Sequence, residues 1–198
     1  MTTAATLLLT IAGLVSSAAN AEGDIERGKA VAYTCLGCHG IEGYRNAYPS
    51  YRVPKLGGQK AAYLVSALQG YRDGMRPHKT MAAQATSLSD QDIEDVAAYL
   101  ASLNNETVAA GGSKSVNLPE PAAACVACHG QNGIGISPAW PTLAGQHEDY
   151  LVHALNEYRS GARKNAIMAQ FAAQLSDVDV AIVAAHFSRL DGLETTSK

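Results

Sequence analysis

Cysteine is scarce in this sequence, and long runs of like charge or apolar residues are missing beyond the first 21 positions. All four cysteines fall in two short stretches, so none is left for a further site elsewhere in the chain. The 198 residues carry a formal net charge of -3 and are 47 % hydrophobic, which is typical of a globular protein. No basic stripe is present, so we expect no nucleic-acid partner.

The two cysteine-containing stretches read C-x-x-C-H, at positions 35–39 and again at 125–129. Thiols one helical turn apart lie on the same face, so both can add to the two vinyl groups along one edge of a porphyrin. The histidine that follows can then lie beneath the iron as its proximal ligand. This pattern is the attachment signature of c-type haem. We predict two covalent haem c groups per chain, held by Cys35, Cys38, Cys125 and Cys128, with His39 and His129 on the irons.

Disulfides, a zinc site or a thioredoxin-like redox pair are the other uses of such cysteines. A disulfide or a redox pair gives no reason for the histidine after each motif. A zinc site with four thiolates would leave the sequence repeat around the motifs unexplained. Haem attachment is the interpretation that accounts for both observations.

The second half of the chain repeats the first at a spacing of 87 residues. Pro54–Gln59 and Pro141–Gln146 share the pattern Pro-x-Leu-x-Gly-Gln, and the register continues through the segments that follow. The C-x-x-C-H motifs are 90 residues apart, so the first copy carries three extra residues before Pro54, within a tyrosine-rich insertion at 43–51. The chain is therefore a duplicated haem module.

Each module is predicted to be all-α. Apolar periodicity and capping signals predict helices over 24–38, 59–71 and 89–103 in the first module, and over 146–158 and 176–190 in the second. Ser89 and Asp92 resemble a capping box. We expect loop or a short turn between Met81 and Leu88, and likewise over 168–175. Two prolines limit the opening helix of the second module to a short segment from about Pro121.

The predicted division of the chain is an export signal over 1–21, a first haem domain over 22–103, a linker over 104–118 and a second haem domain over 119–198. The first segment has an apolar run from Ala4 to Val15 and a small-x-small cleavage site before Glu22. It lacks Lys and Arg, so an uncleaved anchor is the alternative, but the run is shorter than the roughly 20 residues of a span. Export to the periplasm fits haem attachment, which takes place outside the cytoplasm.

These motifs together resemble the dihaem class I cytochromes c, and among them the cytochrome c4 family. The matching features are the two C-x-x-C-H motifs, the two Pro-x-Leu-x-Gly-Gln segments and a lone methionine before each Leu-Ser-Asp helix start. The resemblance implies two tandem class I cytochrome c domains, each wrapped around a covalent haem with His and Met on the iron. It also implies electron transfer rather than substrate chemistry. The insertion and the short second opening depart from the pattern and bear on interdomain geometry.

Met81 and Met168 are the candidates for the sixth ligands. They align with each other in the repeat, 42 and 39 residues after their proximal histidines. Packing in a core is the ordinary role of a methionine, but Met75 aligns with Ala162 and so fails to recur. We predict that Met81 and Met168 complete two six-coordinate irons.

Several other side chains bear on the haem sites. The resemblance implies that the carbonyl groups of Pro54 and Pro141 accept the second ring N–H of the proximal histidines. Four arginines also recur, and each fits either a haem propionate or an exposed helix end: Arg72, Arg76, Arg159 and Arg163. The remaining histidines do not recur and are predicted to be surface or packing residues: His78, His147, His153 and His186.

Six ligands leave no open iron position, so we predict an electron carrier and not an enzyme. The resemblance implies redox protein partners: a respiratory donor, such as a quinol-oxidising bc complex, and a terminal oxidase or reductase. The alternative is the cytochrome subunit of a periplasmic dehydrogenase complex, of the sulfide or alcohol dehydrogenase type. An exposed apolar patch at Tyr44–Tyr51 would favour that subunit role. Peripheral membrane contact stays open, although no basic patch indicates it.

Overall fold

The structure is a computed structural model that describes residues 23–103 and 117–196. Within these ranges the chain is helical, and extended pairing is limited to two isolated bridges. The predicted export signal and nearly all of the predicted linker lie outside the described residues. The helices are α1 (Ile25–Val31), α2 (Tyr33–His39), α3 (Ala61–Arg72), α4 (Lys79–Thr86), α5 (Asp90–Ser102), α6 (Val126–His129), α7 (Glu148–Ser160), α8 (Ala166–Ala172) and α9 (Asp177–Ser188).

The first module opens with two helices where the sequence predicts one. Asp24 caps α1 by accepting a hydrogen bond from the Arg27 N–H at 3.0 Å. At Ala32 the backbone tightens to ψ -4°, and this buried residue separates α1 from α2. The segment that leads to the first motif is therefore almost continuously helical, and only Ala32 interrupts it.

Helix α1 crosses α5 at a glycine. A Cβ at Gly28 would lie 2.0 Å from the Asp95 carbonyl oxygen, so only glycine permits this approach of the two backbones. The buried Asp95 carboxylate accepts hydrogen bonds from the Asp24 N–H at 2.8 Å, from Gln91 at 2.9 Å and from Arg27. Burial alone would raise the pKa of Asp95, but these donors outweigh it and lower that pKa. The crossing thus fixes the start of the first module against its last helix.

The segments that carry the two candidate methionines are helical, so the prediction of loop or a short turn there is wrong. Helix α4 covers most of 81–88, and α8 covers 168–172. Each helix begins with a side-chain cap: His78 accepts from the Met81 N–H at 3.2 Å, and Asn165 accepts from the Met168 N–H at 3.0 Å. Both caps satisfy a backbone donor that the first turn of a helix leaves free.

Helices α5 and α9 confirm the sequence reading of the late helices. Both begin with a reciprocal capping box, Ser89 with Asp92 and Ser176 with Asp179. The predicted apolar face of α5 is buried, with Ile93, Val96, Ala97 and Leu100 each 2 % exposed or less. The last three form the first hydrophobic core with Ala32 and with Leu64 of α3. Burial of each large side chain in this core contributes about 1.5–3 kcal/mol to the stability of the folded state.

The second module opens differently, as predicted from its prolines. A 3-10 turn at Glu120–Ala122 stands in place of α1, and α6 is a single turn that ends at His129. Ala122 is fully buried and packs in one cluster with Val183 and Phe187 of α9. The short opening of the second module is confirmed.

The two modules meet through contacts that follow the repeat. Gln59 donates to the Thr142 carbonyl at 3.0 Å and accepts from the Thr142 N–H at 2.9 Å. Gln146 makes the same pair of bonds with Lys55, at 3.0 and 2.9 Å. Lys55 and Thr142 are repeat counterparts, as are the two glutamines, so a local twofold relation connects the contacts. This is the arrangement of an isologous dimer interface within one chain.

The insertion at 43–51 breaks this twofold relation. Tyr51 is only 6 % exposed and stacks on His153 of α7, with ring centroids 3.9 Å apart. Arg52 beside it donates to the Asp149 carboxylate at 3.0 Å. Tyr48, by contrast, is 97 % exposed. Tyr51, at the end of the insertion, therefore packs against the second module, whereas Tyr48 is exposed to solvent.

The end of the second module also reaches back to the first. Gly57 and Glu194 exchange backbone hydrogen bonds at 3.1 and 3.2 Å. The Thr196 hydroxyl donates to the His39 carbonyl at 3.0 Å, in a buried position. No single described helix has both the length and the apolar composition to cross a membrane; the pair α8 and α9, bent by 114° at their junction, meets those measures only when taken together.

Candidate haem sites

The four thiols lie where haem attachment needs them. Cys35 and Cys38 sit one turn apart on α2, and Cys125 and Cys128 stand at the start and within the single turn of α6. All four are free and half-buried. Burial raises the pKa of both Cys35 and Cys125, so each remains a neutral thiol until it reacts. The pairs are placed for two thioether bonds on one side of each module.

The two histidines that are predicted to be the proximal ligands are buried, and prolines orient them. The His39 Nδ1 atom lies 2.7 Å from the Pro54 carbonyl oxygen, and His129 Nδ1 lies 2.9 Å from that of Pro141. A carbonyl only accepts, so Nδ1 carries the proton and Nε2 is left with a lone pair for iron. Burial lowers the pKa of both imidazoles, which keeps them neutral. The predicted role of the prolines is confirmed.

The two candidate sixth ligands occupy equivalent places. Met81 and Met168 are each the third residue of a short capped helix, and each is half-buried. The cap fixes the first turn of the helix and thereby the direction in which the thioether leaves the backbone. The assignment of both methionines to iron stays a prediction, and the structure gives them matched surroundings.

The four recurring arginines fall into two distinct pairs. Arg72 and Arg159 end their helices near the surface and pair with Asp90 at 2.8 Å and Asp177 at 2.6 Å. Arg163 is only 5 % exposed, and the Nε and Nη1 atoms of Arg76 are buried without a hydrogen-bond partner. The exposed pair fits the helix-end interpretation, whereas the buried pair lacks an anion.

The remaining histidines take packing and surface roles, as predicted. His147 is buried, and burial with the nearby Lys55 and Arg52 lowers its pKa to about 4. His186 is buried against Phe187, with ring centroids 5.0 Å apart. Within the described ranges no group of three or more His, Cys, Asp or Glu side chains could hold a metal ion.

Sequence reasoning missed the residues that join the modules. Gln59 and Gln146 were visible as the last residue of each Pro-x-Leu-x-Gly-Gln segment, and Tyr63 and Tyr150 recur four residues later. Their recurrence signalled a shared role. Nothing in their spacing showed that each copy contacts the other module rather than its own haem.

The chain is similar to known proteins along most of its length. The family model described as cytochrome c matches residues 25–104 and 121–190. Cytochrome c4 of Pseudomonas aeruginosa is 36 % identical over 202 residues, covering 93 % of this chain and 96 % of that protein. The crystal structure of reduced recombinant cytochrome c4 from Pseudomonas stutzeri superposes with a TM-score of 0.66 at 32 % identity, covering 87 % of this chain and 100 % of that one. This chain belongs to the cytochrome c4 family.

A second kind of relative carries a different name. The "Thiosulfate dehydrogenase electron acceptor" of Stutzerimonas stutzeri is 34 % identical over 183 residues, covering 83 % of this chain and 82 % of that protein. Both kinds of relative align with most of the chain. The cytochrome c4 architecture is therefore shared among electron-transfer proteins with different names.

Membership of the cytochrome c4 family establishes two covalent haem c groups in two helical cytochrome c domains. The donor set of each module fits such a group: paired thiols on one helix face and a neutral buried imidazole held by a carbonyl. The orphaned Arg76 N–H groups add donors that a haem carboxylate would satisfy. When bound, haem supplies a one-electron iron couple.

Proposed function

We propose that this member of the cytochrome c4 family is a periplasmic electron carrier that shuttles electrons between a respiratory donor and a terminal oxidase or reductase. A quinol-oxidising bc complex is the donor that we propose. The observation that carries this is the matched placement of Met81 and Met168, each capped at the third position of a short helix. With His39 and His129 they would close both irons to substrates.

The two kinds of predicted ligand would have different effects at each site: the thioether would favour the reduced state, and the histidine would be held firmly in place. A thioether ligand raises the reduction potential relative to a second imidazole. The Pro54 and Pro141 carbonyls hold each imidazole in one tautomer and increase its basicity as a ligand. Buried surroundings exclude water from the ligand side of His39 and His129, which are 9 % and 6 % exposed. These features together support fast electron transfer with little rearrangement.

The periplasm is the compartment that the sequence supports. The apolar run from Ala4 to Val15 and the cleavage pattern before Glu22 are typical of an exported protein. Haem is attached to C-x-x-C-H motifs outside the cytoplasm, so both motifs require this export. Detection of a mature chain that begins at Glu22 in a periplasmic extract would test the proposed location.

A redox titration of the purified protein, with carbon monoxide added to the reduced form, tests the carrier role. We expect two one-electron waves at high potential and no change in the reduced spectrum with carbon monoxide, because both irons already hold six ligands. Carbon monoxide binding at either haem would contradict the Met81 or Met168 assignment. It would also reopen an enzymatic role at that iron.

A second candidate function is the electron-accepting partner of a periplasmic dehydrogenase. The similarity to the thiosulfate dehydrogenase electron acceptor favours it, and it makes a thiosulfate-oxidising enzyme the first donor to try. Stopped-flow reduction by such an enzyme with thiosulfate, set beside reduction by a bc complex with quinol, separates the two candidates. The faster donor at equal concentration identifies the role, and no reduction by the bc complex would contradict the preferred proposal.

A further inference from the structure

His78 makes one hydrogen bond with each of its two ring nitrogens. Its Nδ1 atom accepts from the Met81 N–H at 3.2 Å, and its Nε2 atom lies 3.1 Å from the Asn46 side-chain oxygen. The first bond is the cap of α4, whereas the second reaches the insertion at 43–51. His78 therefore connects the helix of a predicted iron ligand to a loop residue 32 positions earlier in the chain.

The groups at the two ends of this connection fix the direction of every hydrogen bond in it. A backbone N–H only donates, so His78 Nδ1 is the nitrogen without a proton and Nε2 carries the proton. At the other end, Asn46 Nδ2 donates to the Tyr51 carbonyl oxygen at 3.4 Å, which leaves Oδ1 of Asn46 to accept from His78. The connection from Tyr51 to Met81 therefore has a donor and an acceptor at every step.

Further contacts hold both members of the His78–Asn46 pair. The Asn46 backbone N–H donates to the same Tyr51 carbonyl at 2.9 Å. Asn46 is half-buried, whereas the other residues of 41–50 are exposed. The His78 ring packs edge-on against Tyr71, with ring centroids 6.2 Å apart. The pair is thus fixed from the side of the insertion and from the side of α3.

The second module holds the insertion in place through helix α7. The Tyr51 ring stacks on that of His153, with centroids 3.9 Å apart. The Asp149 carboxylate pairs with Arg45 at 3.1 Å and with Arg52 at 3.0 Å. A chain of contacts therefore runs from α7 through the insertion to the helix that carries the first predicted sixth ligand.

The second module has the cap but not the connection. Asn165 takes the place of His78 and accepts from the Met168 N–H at 3.0 Å. The loop after the second cysteine motif is three residues shorter than that after the first. In the described part of the chain, only the first module has a hydrogen bond from this loop to its capping side chain. The repeat thus contains two capped methionines, of which one is connected to the other module.

We infer that His78 and Asn46 are positioning residues for Met81, through which the second module limits the opening of the sixth coordination position at the first haem. The cap fixes the first turn of α4, and Asn46 fixes the imidazole that makes the cap. This inference rests on the proposed function, because it takes Met81 as an iron ligand.

Binding of imidazole to the oxidised protein tests the inference, because imidazole enters only when the thioether leaves the iron. We expect two kinetic phases, one for each haem. Asn46→Ala and His78→Asn each remove the connection but keep a cap, and should accelerate the phase of the first haem about fivefold, the factor that corresponds to one net hydrogen bond. His78→Ala also removes the cap and should accelerate this phase roughly twentyfold. The first two variants remain usable if His78→Ala lowers haem content.

Two control variants separate the connection from other changes in the insertion or in a cap. Tyr48→Ala alters an insertion residue that is 97 % exposed and should leave both phases unchanged. Asn165→Ala removes the cap of the second module and should accelerate the other phase, which assigns the phases to their haems. Exchange of the Met81 amide hydrogen in the reduced protein, measured by NMR, reports the cap directly. It should quicken in His78→Ala and stay unchanged in Asn165→Ala.

A double variant, Asn46→Ala with His78→Ala, decides whether the two residues act together. If they form one connection, the double variant should bind imidazole no faster than His78→Ala alone. A further acceleration of about fivefold would show independent effects and overturn the inference. Wild-type rates in both Asn46→Ala and His78→Asn would overturn it as well. Failure of the proposed function has a different signature, which is carbon monoxide binding by the reduced wild-type protein.

Discussion

The first module reaches its cysteine motif through α1 and α2, whereas the second reaches its motif through a 3-10 turn and the single turn of α6. In the first module, α1 crosses α5 at Gly28 and ties Arg27 to the buried Asp95. In the second, the 3-10 turn packs against α9 through the buried Ala122, and the counterpart of Asp95 is Ile182, which is 38 % exposed.

The residues that hold the predicted iron ligands differ far less between the modules. Both modules bond the proximal imidazole to a proline carbonyl, and both cap the short helix that carries the candidate methionine. Both also begin the last helix with a Ser–Asp capping box. The candidate ligand residues are therefore held by the same contacts in each module, while the scaffold that precedes the motif is built in two ways.

The largest expected effect is on the reduction potentials of the two haems, when the candidate methionine of either module is replaced. Met81→His and Met168→His should each lower one reduction potential by ~0.2 V, because an imidazole stabilises ferric iron more than a thioether does and axial ligands set potentials over about 0.8 V. Each substitution should also remove about half of the near-infrared band from methionine sulfur to ferric iron.

Near-infrared absorption and a redox titration measure these two changes. Met75→His is the matched control, because Met75 has no counterpart in the repeat and is 43 % exposed. An intact near-infrared band in Met81→His would remove that residue from the iron and break the equivalence of the modules.

The α1–α5 crossing gives the next largest effect, and only in the first module. Gly28→Ala places a Cβ 2.0 Å from a backbone oxygen, so the helices must separate, at a cost of about 3 kcal/mol in unfolding free energy. Gly37→Ala, which meets nothing within 4 Å and makes the first motif like the second at Ala127, should stabilise by about 0.5 kcal/mol. Denaturant unfolding measures the free energy of unfolding of both variants. Equal changes in the two variants would contradict the close approach of α1 and α5 at Gly28.

Substitutions in the insertion at 43–51 should also change the free energy of unfolding, because this segment packs against the second module. Tyr51→Ala removes a ring that is 6 % exposed and stacked on His153, and should cost about 2 kcal/mol. Tyr48→Ala, which removes a 97 % exposed ring, should change stability by less than about 0.5 kcal/mol. Thermal unfolding provides the comparison. If Tyr48→Ala lowers the stability as much as Tyr51→Ala does, contacts of the exposed side of the insertion stabilise the protein, and the role given to Tyr51 is wrong.

The smallest effect is the pH dependence of stability that His147 of the second module contributes. His147 has a pKa lowered to about 4 from the ordinary 6.5, by burial first and then by Lys55 and Arg52. The unfolded chain therefore takes up a proton first as the pH falls below 6.5. Stability should be complete above pH 6.5 and fall by about 1–2 kcal/mol on acidification to pH 4, after discounting for solvent screening.

Denaturant midpoints between pH 7 and pH 4 measure this contribution, and His147→Gln should flatten it. The counterpart of His147 in the first module is Lys60, so the first module has no histidine at this position. An identical slope in wild type and His147→Gln would assign the pH dependence to other groups.

The fold could be predicted from the sequence where local periodicity and chemistry agree. The burial of Ile93, Val96 and Leu100 followed from a helical period, and the short second opening followed from Pro119 and Pro121. The haem motifs carried their own chemistry, because thiol spacing and the adjacent histidine define the attachment.

What could not be predicted depends on weak local signals or on contacts distant in sequence. Helix α4 was missed because its cap is His78, an unusual N-cap, and because its alanine-rich face shows little periodicity. The Gln59–Thr142 pair joins residues 83 positions apart, and the Arg163–Tyr63 bond joins residues 100 apart. A repeat shows that such residues are equivalent but not which module they contact.

The hydrogen bond from Thr196 to the His39 carbonyl makes the first module depend on the far end of the chain. Thr196 lies 157 residues after His39, so this carbonyl gains its side-chain partner only when the end of the second module is in place. The last described residues of the chain therefore complete the backbone surroundings of the first cysteine motif.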